Sequence, residues 1–184
     1  MTSAPAHGKK FSTGGQAIPF KDQTLSEKCI YILGVGLGSG LSPKGPGTAG
    51  SLLVLIFTPL WVLLGWQWSS VVIAIWAVIG IPICGKTSDL MAVHDDGRIV
   101  WDEFVGQSMV LLPLVALGKV DTFSLISGGY VLAAFVLFRI FDILKPWPIS
   151  YFDRHVHGGF GIMFDDILAG LFAMLILWGG LLWL

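Results

Sequence analysis

The sequence predicts an all-α integral membrane helical bundle, and three observations carry that prediction. Hydrophobic residues make up 54% of the chain and charged residues only 12%, where an ordinary soluble domain carries about 25% charged residues. The apolar residues gather into five runs separated by polar or Gly/Pro-bearing segments, the pattern of membrane helices rather than of a soluble core. Eight tryptophans in 184 residues suit the aromatic belts at the two membrane interfaces. A formal charge of −1 gives no reason to expect a nucleic-acid partner. Cys29 and Cys84 lie far apart with no CxxC or Cys/His ligand spacing around them, so both are read as free thiols.

Residues 1–28 are polar and lack a helical apolar stripe, so they are expected to form a mobile tail ahead of a membrane-embedded domain over 29–184. The first apolar run starts only at Cys29 and is interrupted by glycines, so no cleavable signal is expected. Apolar helices are predicted over Ala49–Trp66, Ser69–Gly85, Phe104–Leu117, Phe123–Leu144 and Ile167–Leu184. The second and third are short against the roughly 20 residues a bilayer core requires. They are expected to tilt, to kink at Pro82 or Pro113, or to be partly re-entrant.

Charge fixes the expected sides. With a cytoplasmic N-terminus, ten of the eleven Lys and Arg fall on the cytoplasmic face and only Lys119 on the other, as the positive-inside rule asks. The acids divide the same way, since of twelve Asp and Glu only Asp121 lies outside. The rule makes no such demand of acids. A cytoplasm-facing polar site assembled from several loops accounts for it.

That site can be read piece by piece. The stretch GVGLGSGLSPKGPGTAGS, residues 34–51, holds seven glycines and two prolines before the first apolar helix. Its irregular backbone offers N–H groups, and the helix start beneath adds a partial positive charge, which suits phosphate. Ser39, Gly40, Ser42, Gly47 and Thr48 are candidate phosphate-binding positions, with the Ser51 hydroxyl and the Lys44 charge beside them. The bland alternative is a tight, Gly-packed entry into the membrane capped by Thr48 or Ser51. Further on, Asp102 and Glu103 stand at the start of the third helix between Trp101 and Phe104. One exposed acid there would merely favour the helix dipole. Two adjacent acids between aromatic rings suit a hard cation such as Mg²⁺, which binds a few carboxylates and keeps waters for substrate phosphate. His94, Asp95 and Asp96 precede Gly97 and read as a solvated turn.

Arg139 and Asp142 lie three residues apart at the end of the fourth helix, where an intramembrane ion pair marks a functional site by default. KPWP then stops the helix, and Lys145 can snorkel to the surface. Asp153 and Arg154 read as a loop pair, while Asp165 and Asp166 are expected in the first turn of the fifth helix. Asp102, Glu103, Asp142, Asp165 and Asp166 would thus converge at one depth, and five carboxylates beside lipid require a cation. They are the candidate Mg²⁺ ligands and catalytic acids.

Several chemistries are excluded by spelling. GIPICGKT, residues 80–87, matches GxxxxGK[ST], but an apolar helix precedes it where a P-loop needs a strand. No arginine stands six residues after either cysteine, no DxDxT occurs, and neither the three-part signature of histidine-nucleophile lipid phosphatases nor the DG-x2-AR motif is present. What survives is a carboxylate-and-metal site without an obvious covalent nucleophile.

Four segments then carry a resemblance: GxGSGLSPxxPGTxGS from Gly36 to Ser51, IVWDEFVG from Ile99 to Gly106, FRIFDxxKPWPI from Phe138 to Ile149, and FDRxVHGGxGIMxDDxxAG from Phe152 to Gly170. In this order they resemble the phosphatidylglycerophosphatase A family of bacterial inner-membrane enzymes. The resemblance implies a multi-pass protein of that membrane and Mg²⁺-dependent removal of the terminal phosphate from the lipid phosphatidylglycerophosphate, yielding phosphatidylglycerol in phospholipid biosynthesis. Arg139, the Gly-rich loop and Lys145 would then grip phosphate, and a carboxylate could be ligand, nucleophile or general base. A cation-coupled transporter is the rival reading, but its charges would lie near the midplane in a repeated topology, and these lie at one face without a repeat. A lipid-binding scaffold gives no reason for five acids facing an anionic lipid.

Overall fold

The computed structural model describes residues 16–120 and 125–183. Its regular elements are all helical: α1 Leu25–Gly34, α2 Pro46–Leu55, α3 Thr58–Met91 with a non-helical break at Gly65, α4 Trp101–Ala116, α5 Leu125–Leu144, α6 Ile149–His155 and α7 Gly158–Trp183, with short 3-10 turns at Phe20–Asp22 and Gly36–Leu41. No strand forms among the described residues. Three helices are long and apolar enough to cross a membrane: Thr58–Met91, Ser127–Leu144 and Gly158–Trp183. Their outward side chains, such as Leu63 at 82% exposure and Val78 at 68%, would be untenable in water as a continuous surface and fit a lipid surround.

The predicted tail boundary at residue 28 falls inside a helix. Residues 1–15 lie outside the described residues, as do Asp121 and Phe123. From residue 16 the chain is held: the Ile18 N–H donates to the Leu90 carbonyl at 3.0 Å, and Gln23 Nε2 donates to the Ile18 carbonyl at 3.0 Å. α1 starts on a capping box, in which Thr24 Oγ1 accepts from the Glu27 N–H and Glu27 Oε2 accepts from the Thr24 N–H. A search for apolar periodicity passes over Thr24-x-x-Glu27, because the signal is polar.

The first two predicted helices are the two arms of one hairpin. Pro46 at the first helical position starts α2 three residues earlier than Ala49, and the arm breaks after Leu55 before resuming at Thr58. Gly65 has a φ of 72°, open to glycine and strained for other residues. Around it the chain reverses: Trp61 and Trp76 rings lie 5.4 Å apart, and Ser69 Oγ donates to the Trp61 carbonyl at 3.2 Å. Fifteen residues of straight helix would separate Trp61 from Trp76 by about 22 Å. The returning arm runs to Met91, six residues past the predicted Gly85, so it is not short. Pro82 is carried inside it.

α7 begins at Gly158, nine residues before the predicted Ile167. Three glycines in HGGFG argue against a helix by propensity, yet two of them are packing surfaces. A Cβ on Gly159 would overlap the Ile81 carbonyl and lie 2.9 Å from Gly85 Cα, and one on Gly161 would overlap the Val156 carbonyl. Close approach to α3 therefore outweighs the backbone-entropy cost. As a consequence Asp165 and Asp166 sit two turns inside α7, not in its first turn.

α4, the shortest of the predicted spans, is the hub and is wrapped by α2, α3, α5 and α7. Twelve of its residues are buried, including Val105, Val110, Leu111 and Leu114. It crosses α7 backbone to backbone, since a Cβ on Gly170 would stand 2.7 Å from the Gly106 carbonyl oxygen and 3.0 Å from Gly106 Cα. Small residues are what permit such an approach between membrane helices. Gly170→Val is expected to cost about 1–3 kcal/mol by overpacking, seen as a lowered melting temperature in detergent. Gly179→Ala, where the added methyl meets nothing within 4 Å, should leave it unchanged or slightly raised.

Candidate metal centre and phosphate cradle

The Gly106–Gly170 crossing brings the first turn of α4 beside the third turn of α7. Asp102 and Glu103 lie one turn before Gly106 on α4, and Asp166 one turn before Gly170 on α7. Each of the three offers a carboxylate oxygen, all within 4.8 Å of one another. They are buried, at 7%, 9% and 3% exposure. Asp102 Oδ1, Glu103 Oε2 and Asp166 Oδ2 have no hydrogen-bond partner, and no ion pair reaches any of the three among the described residues. Buried carboxylates normally find a partner or a metal. Three hard oxygens converging without a cationic partner among the described residues fit a hard divalent cation.

The other two predicted ligands are taken up by cations of the chain. Asp142 pairs with Arg139, one turn away on α5. Asp165 pairs with Lys145, whose Nζ also donates to Asp153 Oδ1 at 2.9 Å. Burial opposes the Lys145 charge, but Asp165 and Asp166 outweigh it and hold the ammonium above its ordinary pKa. The five acids thus separate into an unpaired trio and two ion-paired residues. Neighbours in sequence on a helix point about 100° apart, and on α7 it is Asp166 that meets the α4 acids while Asp165 meets Lys145.

Arg139 ties Asp142 to the Gly-rich loop. Its Nη1 donates to Ser51 Oγ at 3.3 Å, and Ser51 Oγ donates to the Gly47 carbonyl at 2.9 Å. Gly47 lies between two site residues: a Cβ there would collide with Glu103 Oε1 and stand 3.2 Å from Arg139 Nη1. Only glycine lets the backbone pass so near the carboxylates. Gly45, at φ 58°, ends the loop, Pro46 opens α2, and the Ala49 N–H is the first to bond back, to the Gly45 carbonyl at 3.0 Å. The Gly47 and Thr48 amides are therefore first-turn donors without an intrahelical acceptor, beside the trio and Arg139.

The remaining predicted loop positions serve the loop itself. Ser39 Oγ donates to the Gly36 carbonyl at 2.8 Å, and Ser42 Oγ to the Lys44 carbonyl at 3.0 Å. Gly40 is a packing glycine, whose Cβ would overlap the Arg98 carbonyl. In the turn before α4, Asp96 takes a two-pronged hydrogen bond from Arg98, which holds its carboxyl below the usual range. His94 Nε2 accepts the Gly158 N–H at 2.8 Å and so fixes the start of α7. Sequence reading passed over Gln107, a fully buried amide one turn beyond Glu103. Its only sequence signal is a Gln four residues after Glu103 within an apolar run.

Residues 32–180 match the family model described as Phosphatidylglycerophosphatase A. Among curated proteins, the chain is 49% identical over 148 residues to the Phosphatidylglycerophosphatase A of Escherichia coli (strain K12), covering 80% of this chain and 81% of the relative. It is 44% identical over 156 residues to the protein of the same name from Haemophilus influenzae (strain ATCC 51907 / DSM 11121 / KW20 / Rd), covering 84% and 90%. No solved structure matches.

The two kinds of acid should respond oppositely to neutralisation in metal-free protein. Asp166→Asn relieves repulsion within the trio, so its melting temperature should be unchanged or higher. Asp142→Asn leaves Arg139 without its carboxylate and should cost roughly 3 kcal/mol. Thermal unfolding of both variants in the same detergent, with chelator present, checks the contrast.

Proposed function

The chain belongs to the phosphatidylglycerophosphatase A family, and from that membership we propose that it hydrolyses the terminal phosphomonoester of phosphatidylglycerophosphate to phosphatidylglycerol and phosphate, using Mg²⁺ at its buried carboxylates. The single observation that carries the metal reading is the trio Asp102, Glu103 and Asp166, buried at one helix crossing with an unpartnered oxygen on each. These three residues would hold the cation. When bound, Mg²⁺ supplies charge neutralisation for the phosphate and lowers the pKa of water.

The chain's own residues account for the rest. Arg139 presents a planar donor fork, and the Gly47 and Thr48 amides add N–H groups, so phosphate oxygens are gripped from two elements at once. In the hydrolysis, water oxygen bonds to phosphorus as the bond from phosphorus to the glycerol oxygen breaks. A carboxylate of the cluster takes the proton that water loses, and the departing alkoxide gains one. Asp142 holds Arg139 in place, while Lys145 pairs with Asp165 and leaves Asp166 to face the α4 acids.

A lipid substrate explains the location. Its phosphate must reach the charged residues while its acyl chains stay in the leaflet, which suits a site at the ends of membrane helices. The distribution of Lys and Arg supports a cytoplasm-facing site in the inner membrane.

Phosphate release from purified protein in detergent, given phosphatidylglycerophosphate, is expected with Mg²⁺ and lost with chelator. Asp102→Asn, Glu103→Gln and Asp166→Asn should each lower kcat by at least about 100-fold, an effect of about 2.7 kcal/mol on the barrier. Arg139→Lys should lose nearly as much as Arg139→Ala, because an ammonium cannot reproduce the fork. Absence of release under any divalent cation would refute the proposal.

A further inference from the structure

Unpartnered buried polar atoms are concentrated in one place. Of nine such side-chain atoms among the described residues, seven belong to Asp102, Glu103, Gln107, Ser108, Arg139 and Asp166. Five of these six residues either belong to the carboxylate trio or lie on α4 next to it, and the sixth is Arg139. Gln107 contributes two atoms, since neither Nε2 nor Oε1 has a partner although the side chain is 0% exposed.

A structural role explains Gln107 poorly. An unpaired amide in the middle of a membrane bundle is costly, and an apolar side chain of similar volume would pack there without that penalty. Val110 and Leu111, the next residues on that side of α4, are apolar and wholly buried. Gln107 is also four residues beyond Glu103, which places the two side chains as neighbours on one helix face. An amide supplies both a donor and an acceptor. Glu103 Oε2 is an unused acceptor and Arg139 Nε an unused donor.

We propose that Gln107 is a positioning residue of the phosphatase site: its Nε2–H and Glu103 Oε2, both unpartnered here, join in a hydrogen bond when the cation is bound, which fixes that carboxylate's orientation toward the cation. The proposal rests on the metal-dependent reading above. Residues that hydrogen-bond a ligating group typically change metal affinity or activity 10–100-fold when removed. Gln107 acts through Glu103 and touches neither lipid nor phosphate.

The test is Gln107→Met, which keeps length and volume and removes both polar atoms. Its melting temperature in chelator should equal or exceed that of the unsubstituted protein. Its kcat should fall about 10- to 100-fold, with KM for the lipid within about twofold. The Mg²⁺ concentration giving half the maximal thermal shift should rise about 10-fold. A parallel Gln107→Leu variant should show the same combination. An unchanged Mg²⁺ midpoint with unchanged kcat overturns the proposal. So does a melting temperature lowered by several degrees with the Mg²⁺ midpoint unmoved, or failure of both variants to fold, because either result makes Gln107 structural. The unsubstituted protein run alongside separates the two levels: without Mg²⁺-dependent hydrolysis there, the proposed function itself falls, whereas normal hydrolysis with a normal Met variant removes Gln107 alone.

Discussion

The contact of α4 with α7 through Gly106 and Gly170 is the constraint on which the rest of the molecule depends. The two helices run in the same direction: Trp101 and Met163 meet around Gly80 at one level, and Gly106 meets Asp166 and Gly170 at the next. Side-chain-free contact at that crossing lets the turns just before it carry their acids to within one cation's reach of each other. A larger residue at either glycine would push the helices apart and separate Asp166 from Asp102 and Glu103. Phe138 of α5 also closes on Gly106, where a Cβ would lie 2.8 Å from its Cζ, so the same glycine sets the position of Arg139 beside it. The site's geometry follows from how closely three helix backbones approach.

Electrostatics then divides the charged residues by role. Each ion taken from water into a low-dielectric interior costs several kcal/mol, even after relaxation. Asp142 and Asp165 offset that cost within the protein, through Arg139 and Lys145. Asp102, Glu103 and Asp166 do not, so the packing of a buried α4 stabilises an arrangement that is unfavourable by itself. A cation at the trio would add its binding free energy to folding. The glycine at 47 completes the division, since it lets backbone amides approach the same carboxylates without adding a side chain.

Much of this was legible in the sequence. Apolar runs located both hairpin arms, α4 and α5, and Asp102 and Glu103 lie in the first turn of α4 as their position before Phe104 implied. The spacing of Arg139 and Asp142 announced their pairing. Less legible were features whose cause is tertiary. The start of α7 was hidden because Gly158, Gly159 and Gly161 read as a loop until Ile81 and Val156 are seen against them. Gln67, Ser69 and Ser70 mark a break just after Gly65, but not that the chain turns back there to set Trp61 against Trp76. The division of five acids into three and two depends on which way Asp165 and Asp166 turn, and hydropathy has no angular information at that resolution. Gln107 carries no motif at all, and only its burial makes it conspicuous.

The central claim is that one divalent cation site is formed by Asp102, Glu103 and Asp166. The most direct measurement is a crystal structure of the protein grown with Mn²⁺ in place of Mg²⁺, with the metal located by anomalous scattering. The account predicts a peak bonded to an oxygen of each of these three carboxylates, with Asp142 still on Arg139 and Asp165 still on Lys145. A peak seated instead among Asp95, Asp153 and Asp165, with the trio unligated, would contradict it.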